Sequence, residues 1–401
     1  MTASSPRYAR AFVEPVSSPI RALLQYANRP GTVSFAGGYP DPVLFDVDGL
    51  RQASEQVNLR LGAHLQYSGT EGQASLRRAL ARLSASRGIV SDPDTEVVVT
   101  GGSQQAMTLI ARVMLEAGDS VVIESPSFPT SVQALVQTGA RVLTVPSGED
   151  GIDLDALEVL LRTEQPKMIC LVATFSNPSG STLSRERRKR LIRMAQAHRV
   201  VVVEDDPYSG LRYRGDAVPP LFALAEGDER NWVVYLSSLS KTVAPALRLG
   251  WLVASPELRR RCVSAKQADD LSVSPWMQEI AADYLDAGGY ERHLPTLLQA
   301  YGARCQAMID GLQTSLAGQV RYRAPEGGMF VWARFNPGVR ASEVLQKAIE
   351  REVVFVPGSA FYPDPKALDE QAFRLSFASA PEQEIIQGMQ RLGQALQDIV
   401  R

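Results

Sequence analysis

From about residue 96 to 254, short β-branched runs alternate with stretches of helical period. EVVVT at 96–100 predicts a strand. The segment after it, GGSQQAMTLIARVML, puts Ala106, Leu109, Ile110, Val113 and Met114 on one stripe of a helix. SVVIE, ARVLTV, MICLVAT, RVVVVE and WVVYLSS predict further strands. DLDALEVLLRT and LSRERRKRLIRMAQAH predict helices between them, with Asp153 and Ser184 as N-caps. This alternation is the pattern of a parallel sheet covered by helices, an α/β fold. After about residue 280 it gives way to a long helical stretch and then to RYRAP, MFVWARF, VVFVPG and FRLSFAS. These predict a smaller α+β domain closed by the helix PEQEIIQGMQRLGQAL. With no repeat or Ser/Gly-rich linker, the boundary is expected to be a hinge and not a tether.

The composition narrows the function without naming it. The chain has 401 residues, 45% apolar and 21% charged, with a net charge of −2, which is ordinary for a globular protein of two domains. No basic arm or stripe suggests nucleic acid. Neither a signal peptide nor a membrane-length apolar run is present, so no membrane partner and a cytoplasmic location are expected. Three cysteines (Cys170, Cys262, Cys305) and three histidines (His64, His198, His293) stand far apart. That argues against a disulfide framework, a metal site or a hydrolase triad, and points to chemistry carried by a bound cofactor.

Ligands of open α/β sheets bind beyond the carboxyl ends of the strands, and four such ends carry suitable residues. Gly101, Gly102, Ser103 and Gln104 join a strand to a helix, a place where free N–H groups favour a phosphate, although any strand-to-helix turn could use the same residues. Glu204, Asp205 and Asp206 end a valine run ahead of Tyr208; three adjacent acids need solvent or a cation, which could be a protonated cofactor ring. Lys241 follows a strand among Ser238, Ser240 and Arg248, which suits a desolvated amine forming a Schiff base beside phosphate ligands. Most of the other five lysines suit solvated faces or loops. Asn177 opens an Asn-Pro-Ser-Gly turn and could donate its amide to a cofactor oxygen.

The SLSK segment with its following arginine, the NPSG turn and the EDDPY strand end resemble the signature of fold-type I pyridoxal-5′-phosphate (PLP) aminotransferases of class I/II. YSGTEGQASLRRAL, GGSQQA, EGGMFVWARF and FRLSFA are similar to further segments of that family, in the same order. FAGGYPDPVLF resembles the subgroup of 2-aminoadipate, kynurenine and aromatic amino-acid aminotransferases, which also includes the aminotransferase-like domain of one class of transcription regulators. The resemblance implies that Lys241 binds PLP covalently and shuttles the substrate proton, while Asp205 pairs with the pyridinium nitrogen. It gives Tyr208 and Asn177 the phenolic oxygen, and Gly102, Ser103, Gln104, Ser238, Ser240 and Arg248 the phosphate. Phe128 would stack on the ring, where many relatives carry a tyrosine. Tyr67 would reach the phosphate of the partner subunit, implying a homodimer with shared sites. Arg374 would clamp the substrate carboxylate, with Asn177, Gly38 and Tyr39 lining the pocket.

The expected division is an arm (1–30), a segment shared by the small domain and the pocket (31–59), a large PLP-binding domain (60–285) and a small domain (286–401). The expected reaction moves an amino group from an L-amino acid to a 2-oxo acid, 2-oxoglutarate by analogy, in a ping-pong cycle. A lyase or decarboxylase on the same fold stays open. So does a PLP-binding regulator, although only 66 residues precede Tyr67 and a winged helix has no room among them.

Overall fold

A computed structural model describes residues 6, 8, 12, 13 and 19–400. A short strand, β1 (Val33–Ser34), precedes the large sheet. The sheet consists of β2 (Val97–Thr100), β3 (Ser120–Ser125), β4 (Arg141–Gly148), β5 (Gly151–Ile152), β6 (Met168–Leu171), β7 (Val201–Asp205), β8 (Val233–Ser238) and β9 (Gly250–Val253). Its order is β2-β9-β8-β7-β6-β3-β4-β5. From β8 to β4 the strands run parallel, whereas β9 opposes both its neighbours and β5 opposes β4. The mainly parallel, helix-flanked α/β architecture expected from the sequence is the one observed.

The unbroken valine runs follow from burial on both faces. Along β7, Val202 packs into one apolar cluster and Val201 and Val203 into the cluster on the opposite face, so no position faces water. Asp153 and Ser184 cap their helices as predicted, accepting from Asp155 and Ala156 N–H and from Arg187 N–H respectively. MICLVAT stops being strand at Leu171 because the next amide, Val172 N–H, turns to the buried Glu124 carboxylate at 3.0 Å and leaves the ladder. No sequence signal predicted β9. It begins at Gly250, where a Cβ would fall 2.6 Å from the Gly102 carbonyl carbon, so only glycine lets this strand pass the turn after β2.

The C-terminal elements form a second sheet from β10 (Val320–Tyr322), β11 (Phe330–Phe335), β13 (Val356–Pro357) and β14 (Ala372–Ser376), in the antiparallel order β10-β11-β14-β13. The strand before β13, β12 (Val353–Val354), pairs in parallel with β1. VVFVPG is therefore divided between two partners. Val33, Phe35 and Ala36 join the apolar cluster of the C-terminal elements, while Ala53 and Val57 pack with the large sheet. Among the described residues no helix is long and apolar enough to cross a membrane.

Candidate active site

Because β2, β3, β6, β7 and β8 share one direction, their carboxyl ends lie along one edge of the sheet. That edge collects the Gly101–Gln104 turn, Phe128, the Asn177 turn, Asp205, Tyr208 and Lys241.

The three acids after the valine run have separate fates. Glu204 is fully buried against Arg188, 3.2 Å away, and accepts Leu221 N–H at 2.7 Å. Asp206 is equally buried and takes the Tyr235 hydroxyl at 3.0 Å and Ser209 N–H at 3.1 Å, with Arg87 at 3.8 Å. Asp205 points the other way, as alternation along a strand requires. It takes a hydrogen bond from Ser103 and faces the charge of Lys241. Its Oδ1 is buried with no hydrogen-bond partner among the described residues. Burial raises its pKa to about 7, Ser103 and Lys241 opposing that rise and Asp206 adding to it. A buried carboxylate oxygen left unpaired costs free energy, and a protonated ring nitrogen is the kind of group that would remove that cost.

Lys241 donates to the Gly38 carbonyl at 2.9 Å. Burial lowers its pKa to about 8, helped by the positive charges of Arg374 and Arg248 and opposed by Asp205, so near neutral pH roughly a tenth is the free amine that Schiff-base chemistry needs, against well under a thousandth for an ordinary lysine. Arg374, on β14 opposite Trp332 and Val356, is 1% exposed. Its guanidinium lies 4.3 Å from the centre of the Phe330 ring and 4.8 Å from that of Phe361. It donates to Asn177 Oδ1 at 2.7 Å and to the Ala36 carbonyl, while its Nε has no partner among the described residues. Burial lowers its pKa to about 10, and Tyr208 opposes the drop. Tyr208 itself is hydrogen-bonded to Asn177, and burial holds its hydroxyl well above the ordinary range.

At the glycine turn Gly102 has φ +93° and serves as N-cap, without a side-chain cap, for the helix Ser103–Met114. The first N–H groups of that helix therefore stay open to an anion. Arg248 reaches over Gly102 and donates to Gly101 O at 3.1 Å. Ser238 and Ser240 share a hydroxyl hydrogen bond of 2.9 Å. Gln104 is turned aside, donating to Thr130 O at 3.3 Å. Phe128 is the N-cap residue of the helix Pro129–Val136 and is partly buried. Gly38 has no space for a side chain, since a Cβ would meet the Phe330 ring at 2.7 Å. Tyr39 and Tyr67 are exposed, at 59% and 78%. The donor set thus fits a planar, phosphorylated aldehyde with a basic ring nitrogen: an amine, a carboxylate with one oxygen unpaired among the described residues, and an anion cup.

Sequence reasoning missed the aromatic sandwich of Arg374. Phe330 was read only as part of EGGMFVWARF, and Phe361 lies on the turn Gly358–Phe361 after β13; the approach of both rings to the guanidinium joins segments far apart in sequence. Nor did sequence reasoning single out Lys266, which is fully buried, its ammonium 2.6 Å from Asp270.

Comparison with known proteins gives this site a family. The family model described as "Aminotransferase class I and II" matches residues 36–392. The 2-aminoadipate transaminase of Thermus thermophilus is 39% identical over 385 residues, 96% of this chain and 95% of the relative. The aromatic-amino-acid aminotransferase 1 of Thermococcus litoralis is 35% identical over 388 residues, 95% and 92% of the two chains. The solved structure of the alpha-aminoadipate aminotransferase from Thermus thermophilus, complexed with N-(5′-phosphopyridoxyl)-L-leucine, superposes with a TM-score of 0.89 at 38% identity, covering 98% of each chain. The protein belongs to the class I and II aminotransferases and is an enzyme of amino-group transfer.

Proposed function

We propose that this strand-end site holds PLP and moves an amino group from an L-amino acid with a long or aromatic side chain to a 2-oxo acid, 2-oxoglutarate first among them. PLP is the cofactor of the family, and the unpaired Oδ1 of Asp205 beside a desolvated lysine carries its placement here. Bound there, PLP supplies an aldehyde that condenses with amines and a ring that takes up electrons from the substrate's α-carbon. Asp205 holds a proton on the ring nitrogen. Tyr208 and Asn177 steady the phenolic oxygen. The helix N-terminus at Gly102, Ser103 and Gln104, the last through its backbone N–H, would receive the phosphate with Ser238, Ser240 and Arg248, and Phe128 would cover the ring. Lys241 Nζ takes the proton from the substrate's α-carbon and returns it. Arg374 holds the carboxylate within its pair of rings, beside Asn177, Gly38 and Tyr39. The relatives named for 2-aminoadipate and aromatic amino acids support the donor class. A panel of amino donors with 2-oxoglutarate tests the reading: stoichiometric oxo acid is expected, and release of CO2 or ammonia in its place would favour a decarboxylase or lyase.

Arg374→Lys keeps a charge but loses the planar fork. Its apparent KM should rise for amino donor and oxo acid together, with PLP affinity nearly unchanged, and kcat/KM should fall roughly ten- to a hundredfold. Normal kinetics, or loss of PLP, would make Arg374 a structural residue.

The proposal includes a homodimer. Tyr67, Leu59 and Leu65 are exposed close together in sequence, with Tyr39, Val43 and Val47 exposed in the pocket segment; clustered apolar exposure of this kind marks an interface. Mixing inactive Lys241→Ala subunits with inactive Tyr67→Ala subunits should restore part of the activity, because each heterodimer has one complete site. A fully active monomer at high dilution would defeat this. The domain division given above and a cytoplasmic setting complete the proposal; separate apolar clusters for the two sheets support the first, and three buried, unpaired cysteines support the second.

A further inference from the structure

We propose that Gln105, which touches neither the substrate pocket nor the candidate ring site, is a positioning residue that sets the shape of the phosphate cup. The inference rests on the PLP reading above and deepens it. Both peptide groups of Gly101 are pinned: its N–H donates to Gln105 Oε1 at 2.7 Å, and its carbonyl accepts from Arg248 at 3.1 Å. Gln105 is the third residue of the helix Ser103–Met114, so its side chain folds back over the turn from which that helix starts. Without this bond the Gly101 N–H would be free to turn toward an incoming anion, and the glycine pair would lose the constraint that aims the helix N–H groups.

The amide of Gln105 is itself held in one orientation. Its Nε2 donates to Asp269 Oδ2 at 3.1 Å and Asp270 Oδ2 at 2.9 Å. A carboxylate can only accept, so the oxygen must face Gly101. The two acids are fixed in turn. Their N–H groups bond the Lys266 carbonyl at 3.0 and 3.1 Å, the buried Lys266 ammonium meets Asp270, and Arg112, seven residues along the same helix as Gln105, meets Asp269 at 3.1 Å. This accounts for a fully buried lysine outside the reacting centre: it neutralises a carboxylate that would otherwise stand close to a phosphate site. Gln105 is the neutral link that carries the rigidity of this network to the cup without carrying its charge.

The test compares PLP with pyridoxal, which lacks the phosphate, in titrations of the apo protein. Gln105→Met keeps the length and removes the hydrogen bonds. PLP affinity should fall roughly three- to tenfold, the worth of about one neutral hydrogen bond, while pyridoxal affinity and kcat at saturating PLP stay unchanged. Gln105→Glu sets a third carboxylate against Asp269 and Asp270, and should lose more PLP affinity than Gln105→Met. Equal losses for PLP and pyridoxal, or no loss for either, would overturn the assignment. A wild-type protein that binds neither compound would overturn the PLP reading itself and this inference with it.

Discussion

Lys241→Ala should abolish transamination and remove the absorbance of covalently held PLP, although the phosphate cup should still retain the cofactor. Lys241 is the lysine at the sheet's carboxyl edge that meets Gly38, Arg374 and Asp205 at once. Borohydride reduction followed by peptide mapping should place the pyridoxyl group on it, and a label on any other lysine would refute the assignment. The protonation state adds a pH signature. An amine attacks an aldehyde only when deprotonated, and burial has lowered this pKa to about 8. Capture of PLP by the apo protein should therefore quicken as pH rises toward 8 and level off above it. An ordinary lysine would keep accelerating toward its usual value of 10.5. A profile that climbs steadily past pH 9 would show that the site does not desolvate the amine.

Asp205→Ala should slow the proton-transfer steps on the order of 100- to 1000-fold, since each ~1.4 kcal/mol of lost stabilisation is tenfold in rate. Without the carboxylate nothing holds the ring nitrogen protonated, and an uncharged ring is a poor sink for electrons. Asp206→Ala should differ in kind. That side chain is already paired with Tyr235, Ser209 and Arg87, so its loss should lower thermal stability by about 1–3 kcal/mol and leave the rate per folded site far less affected. Measuring melting temperature and single-turnover rate for both variants separates the two. Equal rate losses in the two would mean that the register of acids along β7 has been misassigned.

That register was legible in the sequence only through family resemblance. The physics of three adjacent acids predicted a need for solvent or a cation and no more, and the structure treats the three differently: Arg188 meets Glu204, a hydroxyl with a distant arginine meets Asp206, and one oxygen of Asp205 is left unpaired among the described residues. Strands that are apolar along their whole length, such as those at Val201 and Val233, were plain because burial on both faces leaves no alternative composition. The strand at Gly250 was not, because what selects it is a close approach to Gly102 far away in sequence. Helix starts at Asp153 and Ser184 are local chemistry and could be read directly. The order of strands in the sheet, the rings around Arg374 and the network behind Gln105 all depend on pairings between distant segments, which no periodicity encodes.

The two cations proposed to meet the substrate, Lys241 and Arg374, both donate to carbonyls of the segment at 36–38. The backbone there ties the lysine that follows β8 and the arginine of β14 to one strip of chain. A displacement of residues 36–38 therefore reaches both charges at once, so a substitution in this strip should disturb the lysine and the arginine together.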